Sequence, residues 1–352
     1  MRSLLGPDHS RIPFAAPPLF FGYTRGAMSR CSLIPLLGAS LVLAGAGPPP
    51  ASDLERRTRD LLDTLKAQST AHAKDLATGR EIAVRADVPV NTVSVIKIPV
   101  MILAFRDADA GRLKLDERYL ITPEAQRRGT GVLQTFAVGL NPTCRDLITQ
   151  MIITSDNTAT DILIEKLGLE RVNQMLESLG YKETRLRMTI GQLFRGVWEQ
   201  LDPKYASLSD REVFARGFPE DPGAQARYFI YVAESSKWFG RTTARETSRL
   251  LEQLQKGELA SKASTEEMVE ILQEQLYFSR LPQRIRFRVK IGHKTGDWPP
   301  IIGNDVGILY SDRGPIVISV FTNQNRSSFF DLEAAIGKIA EDVLDAWGGR
   351  KE

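Results

Sequence analysis

Cysteine and histidine are scarce in this chain of 352 residues, which has two of the first and three of the second. Cys31 lies in an N-terminal stretch that reads as a leader, so the mature part keeps Cys144 alone and can form no internal disulfide. Cys144 reads as a small buried residue near the start of a helix. His9, His72 and His293 stand far apart, and no CxxC or HxxxH spacing occurs, which excludes a histidine-based metal site; no metal or cofactor is expected. Charge of one sign is missing too. The first 46 residues hold four of the 46 Lys and Arg and one of the 43 acids, leaving 42 of each in the remainder. A neutral body with no basic run and no interleaved aromatics does not suit nucleic acid.

What is present begins with a leader pattern that starts late. From Met28 the chain reads MSRCSLIPLLGASLVLAGAGPPP: one positive residue (Arg30), an apolar stretch from Leu33 to Leu43 too short to span a bilayer, and Ala44-Gly45-Ala46 as a small-x-small cleavage site. Pro48 to Pro50 break any continuing helix. The pattern makes Met28 the expected start and places the mature protein in the periplasm or outside the cell.

Ser52 is placed to cap a first helix with Leu54, Leu61, Leu62 and Leu65 on one face. A hairpin follows around Ala77-Thr78-Gly79. Ser94 then opens an apolar helix to about Asp107, with Pro99 awkwardly inside it. Helical patterns dominate to about residue 285, with Gly168 and Gly180 as stops. Residues 187–240 are the least regular, rich in aromatics, charges and proline. Strands return in RFRVKIGHK (286–294), NDVGILY and PIVISVF, the last two joined by Ser311-Asp312-Arg313-Gly314. An amphipathic helix closes the chain from Asp331 to Trp347, with Leu332, Ile336, Ile339, Val343 and Trp347 in one stripe. The expected fold is α/β: an antiparallel sheet flanked by the terminal helices (53–93 and 286–352) with an inserted all-α domain (94–285), after an N-terminal extension and leader (1–46).

Three short motifs follow one another on this frame. Ser94 and Lys97 form S-x-x-K in an apolar run, where a lysine is driven towards its neutral form and can act as a base. Ser155-Asp156-Asn157 lies between two helical segments, and Lys294-Thr295-Gly296 at the end of an alternating strand. Alone, S-x-x-K occurs by chance, and Ser94 and Lys97 would read as a cap and a snorkelling lysine.

Together, SxxK, SDN and KTG in this order resemble the serine β-lactamases of class A and the related penicillin-binding proteins. The likeness runs from about Asp53 to Trp347. It implies a nucleophile at Ser94, a base at Lys97, a proton relay at Ser155, and a hydrogen bond to the substrate amide from Asn157. It implies that Lys294 depresses Lys97 and suits a substrate carboxylate, that Thr295 and Gly296 let the strand edge face substrate, and that the backbone amides of Ser94 and Asp297 form the oxyanion hole. Asp156, Asp161 and His293 read as structural. The pattern breaks where class A enzymes carry the glutamate that activates water. Counting from Thr184-Arg185-Leu186, that position falls on Ile190, and its asparagine partner on Phe194. Glu199, in Trp198-Glu199-Gln200-Leu201, is either a displaced equivalent or an ordinary helix charge. No arginine precedes Asn304; Gly303 stands there.

Three activities stay open. One is an exported β-lactamase; the second is a penicillin-binding-type peptidase or esterase acting on D-alanyl peptides of the cell wall. The third is a covalent β-lactam binder without turnover. In each the partner is a small molecule, a β-lactam or a peptidoglycan-derived peptide, and the protein is expected to be a monomer.

Overall fold

The computed structural model describes residues 52–214 and 222–349. The Met28 start, the leader, the Ala44-Gly45-Ala46 site and the proline run lie outside the described residues. Among those described, no helix is long and apolar enough to cross a membrane.

Helix α1 (Asp53–Asp63) begins where expected, with the Ser52 hydroxyl accepting from Glu55 N, and buries Leu54 and Leu62. Strands β1 (Gln68–Asp75) and β2 (Glu81–Val84) form the expected hairpin, and β3 (Val90–Asn91) follows. Helix α2 spans Lys97–Asp109 and α3 spans Cys144–Ile153. Next come α4 (Asn157–Leu167), α5 (Leu169–Ser178), β4 (Arg185–Leu186), α6 (Ile190–Leu201), α7 (Asp210–Phe214), α8 (Pro222–Ala233) and β5 (Gly240–Thr242). Then α9 (Ala244–Gln255) and α10 (Lys262–Gln273) lead to β6 (Lys290–Trp298), β7 (Ile302–Ser311), β8 (Gly314–Asn323) and α11 (Phe329–Trp347).

The five long strands pair antiparallel in the order β2-β1-β8-β7-β6, so the first strand lies beside the last. Helices α1 and α11 cover one face, where Leu62, Ile336, Ile339 and Val343 meet Ile82, Ile318 and Val320. That is the expected α/β layering. The helical layer forms the other core around α2, in which ten of thirteen residues are buried; a helix apolar on every side belongs at the centre of a bundle.

Several local expectations give way. The chain opens α2 with a 3-10 turn, Val93–Ile96, before the α-helix starts at Lys97. Pro99 therefore occupies the first α-helical turn, where amide hydrogens have no partner within the helix, and its missing N–H costs little there. The alternating segment does not begin as a strand at Arg286: β6 starts at Lys290, and Phe287 points into solvent at 89% exposure. The described residues of 187–240 are largely helical. Helix α6 has a full capping box, with Thr189 accepting from Gln192 N and the Gln192 side chain accepting from Thr189 N.

Candidate active site

The turn that carries Ser94 is strained. Val93 is β-branched yet has φ of +40°, in the left-handed region. Its surroundings hold it there. Val93 N donates to Asn91 Oδ1 at 3.0 Å, and Thr92 N to Gly240 O at 3.0 Å. Asn304 Nδ2 on β7 donates to the carbonyls of Asn91 (2.9 Å) and Thr92 (3.2 Å), while its Oδ1 accepts from Thr322 N and from Asn323 Nδ2 on β8. Sheet and helical layer thus meet at one buried amide network, directly behind Ser94. Strain fixed in this way is characteristic of pre-organised sites.

Strand β6 approaches the same turn closely. A β-carbon on Gly296 would stand 2.5 Å from Thr92 O, so only glycine lets the strand lie against the backbone before Ser94. Gly303, directly before Asn304, packs against α11: a β-carbon there would stand 2.7 Å from Leu332 Cδ2.

In a 3-10 turn, residues three apart eclipse one another, which stacks Lys97 over Ser94. The Lys97 ammonium is wholly buried. Its Nζ donates to Ser155 O at 2.7 Å, to Asn157 Oδ1 at 2.9 Å and to Ser155 Oγ at 3.3 Å. Burial, and then the charge of Lys294, hold its pKa well below that of a free lysine. Lys294 is buried as well, donates to Thr295 O at 2.8 Å, and is pushed down to about 7, chiefly by burial, against the opposing charges of Asp297 and Asp305.

Ser155 sits at φ +56°, on the turn between α3 and α4. Asp156 caps α4, accepting from Ala159 N at 2.9 Å and from Leu133 N at 2.8 Å. Asn157 accepts from Lys97 and from Thr130 Oγ1 (3.3 Å) and donates from Nδ2 to Arg128 O (2.8 Å). One of its two amide hydrogens is left for a ligand. Asp161 accepts from Ile190 N (2.6 Å), Gly191 N (2.8 Å) and Arg127 Nε (2.7 Å), and so pins the start of α6 to α4. His293 is buried with Nδ1 2.9 Å from Asp305 Oδ1, a carboxylate that also accepts from Leu281 N. Cys144 is buried, and its thiol is pushed up to about 11, chiefly by burial, which leaves it unreactive.

These elements surround a cavity of about 750 Å³. Ser94, Asn157, Thr130 and Asp297 line it; Lys97, Ser155, Lys294, Thr295 and Gly296 stand behind that lining. The opposite wall is apolar, made of Ile190, Leu193 and Phe194 on α6 with Tyr228 from α8. Phe194 reaches Trp298 across the cavity with ring centres 6.1 Å apart.

The description "Beta-lactamase enzyme family" matches residues 53–347. The chain belongs to that family. A beta-lactamase of Streptomyces lavendulae is 26% identical over 333 residues, covering 92% of this chain and 95% of its own length. The solved beta-lactamase of Sphaerobacter thermophilus is 26% identical, with a TM-score of 0.67 over 84% of this chain and 96% of that one. The structure of PBP-A shares the fold at 21% identity and a TM-score of 0.65, over 85% and 98%. This beta-lactamase-family chain is thus a serine β-lactamase-like hydrolase.

Within the family frame, its α6 wall departs from the resemblance in a definite way. Ile190 and Phe194 line the cavity and carry no acid. Glu199 lies further along α6, half exposed, with Arg195 Nε 4.0 Å away, and does not line the cavity. Among the aromatics of 187–240, Phe194, Tyr228 and Phe239 line the cavity, whereas Trp198, Tyr231 and Trp238 are buried outside its lining. The carboxylates on the cavity lining are Asp297 and Glu333. Both meet Arg280, a buried lining residue that no local sequence pattern marks; only the fold brings it to β6 and α11.

Proposed function

We propose that Ser94 is acylated by a β-lactam and that the protein opens the ring. The observation that carries this reading is the buried Lys97 amine, held between Ser155 and Asn157 one 3-10 turn from a cavity-lining serine. Neutral Lys97 takes the Ser94 proton, and Oγ attacks the lactam carbonyl. The amides of Ser94 and Asp297 receive the oxyanion, at the N-terminal end of the helix that begins at Val93. Collapse breaks the C–N bond. The proton passes from Lys97 through the Ser155 hydroxyl to the departing nitrogen, while Asn157 holds the side-chain amide of the substrate.

Release of the acyl group needs an activated water. The α6 wall offers none, so hydrolysis falls to Lys97 and is slow. That wall favours a second reading: a penicillin-binding-type peptidase or esterase, or a binder that acylates and stops. An intact-mass time course of residues 47–352 with a penicillin separates the two, with ring opening followed in parallel. A transient adduct with many turnovers supports the β-lactamase. A stable adduct with no turnover supports the second reading. Absence of any adduct refutes acylation at Ser94. We also read the protein as exported after cleavage near Ala46 from a leader that starts at Met28, acting as a monomer in the periplasm or outside the cell. N-terminal sequencing of secreted protein tests the cleavage.

A further inference from the structure

A second hollow, of about 430 Å³, lies where the segment after α10 runs into β6, and it shares no lining residue with the catalytic cavity. Three cations line it, Arg286, Arg288 and Lys290, and no carboxylate does. The chain is balanced in charge as a whole, but not here. Arg288 pairs with Asp345 on α11, whereas Arg286 and Lys290 have no acid partner among the described residues. The Arg286 guanidinium instead lies over two lining rings, 5.5 Å from the centre of Phe278 and 4.6 Å from that of Phe287. Both rings are exposed.

His293 also lines the hollow and is 1% exposed. Its Nδ1 lies 2.9 Å from Asp305 Oδ1, and its buried Nε2 has no hydrogen-bond partner among the described residues. A buried polar atom left in that state calls for a partner. A carboxylate only accepts, so Nδ1 carries the proton of its contact, and the neutral ring leaves Nε2 as an acceptor. A molecule filling the hollow therefore meets three demands: an anion for Arg286 and Lys290, an apolar ring for Phe278 and Phe287, and an N–H or O–H for His293. A lipid surface could use the cations and Phe287, but not a histidine buried behind them. We propose that this hollow is a second ligand site, for a small aromatic carboxylate that also carries a hydrogen-bond donor. The site does not depend on acylation at Ser94, although His293 directly precedes Lys294 on β6.

The scarcity of histidine gives a local readout, since ring signals from three residues are easily told apart by NMR in the full chain. Those of His293 are assigned by their absence from His293→Asn or, should that variant fail to fold, by elimination with His9→Asn and His72→Asn. The probe is 4-hydroxyphenylacetate, which should shift the His293 ring signals saturably and leave those of His72 in place. Phenylacetate, which lacks the donor, should bind about fivefold more weakly. The neutral 4-hydroxyphenylacetamide should lose about fivefold or more, and so should the charged probe against Arg286→Ala with Lys290→Ala. His293 signals that stay unmoved up to the solubility of the probe overturn the proposal. So does equal binding by the amide, equal binding by phenylacetate, or an affinity that the double variant leaves intact. Binding to phosphatidylglycerol vesicles that Phe287→Ala abolishes, with no response of His293 to the probe, overturns it in favour of a membrane-facing patch.

Discussion

Replacing Lys294 by methionine should flatten the pH dependence of stability, and the size of the effect follows from the burial of the amine. Native Lys294 titrates at about 7, whereas an unfolded lysine titrates near 10.5. Between those values the unfolded chain binds a proton that the native one does not, so stability rises with pH across the window. Below about 7 both states are protonated and the contribution is constant. Each unit is worth about 1.4 kcal/mol, and the whole window roughly 5 kcal/mol. Lys97, also depressed, adds a slope of the same sign. Cys144 works the other way: its thiol rises from 9.0 to about 11, so the unfolded chain loses that proton first and stability falls as pH passes the unfolded value. Tyr181, Tyr231 and Tyr310, each raised from 10.0 to about 12, do the same at higher pH. The clean interval is therefore about pH 7 to 9. Urea titrations of both proteins at about pH 7, 8 and 9 should show the wild type gaining about 2 to 3 kcal/mol relative to Lys294→Met. Parallel curves would show that the native ammonium is not desolvated, and the argument that burial depresses Lys294 would fall with them.

Lys97→Ala should abolish labelling of Ser94 by a fluorescent penicillin, a loss of about 10²- to 10⁴-fold, with an unchanged circular dichroism spectrum; undiminished labelling refutes its role as base. Ile190→Glu puts a carboxylate on the cavity wall in the first turn of α6, where the helix dipole favours it. The adduct should then decay at least about tenfold faster by mass spectrometry, and an unchanged lifetime would show that water activation needs more than that acid. Gly296→Ala places a methyl 2.5 Å from Thr92 O, so β6 must shift from the Ser94 turn; acylation should slow by about tenfold or more, while a wild-type rate would deny the close approach a role. Asp161→Ala strips Ile190 N, Gly191 N and Arg127 of their shared acceptor and should cost about 3 to 5 kcal/mol in urea, a value below about 1 contradicting the pinning of α6.

The parts of the site legible in the sequence are those set by short-range chemistry. Ser94 with Lys97, the SDN turn and KTG each need fixed neighbours, and the fold brings all three to one cavity. The terminal helices were legible because their apolar stripes face a single surface. Helix α6 was legible only in part, around Glu199, although its apolar residues keep helical spacing, and its start is marked by the Thr189–Gln192 capping box; α8 was not legible, because its apolar residues are spread around the helix. Arg286, Phe287 and Arg288 alternate like a strand, yet Phe287 is exposed: alternation indicates two faces, not that either is buried. Arg280 was invisible because its partners lie on β6 and α11, far along the chain.

The amide network behind Ser94 also bears on when the protein can act during its synthesis. Asn304 and Asn323 come from the last two strands, and β1 gains its inner neighbour only when β8 exists. A ribosome-bound chain that has emerged only as far as KTG contains every side chain proposed for catalysis but lacks the Asn304 and Asn323 contacts behind the strained Val93 turn. Reactivity therefore arrives in one late step, as the final fifty or so residues close the sheet. A chain that ends before β8 lacks the partners that hold this turn, whatever motifs it carries.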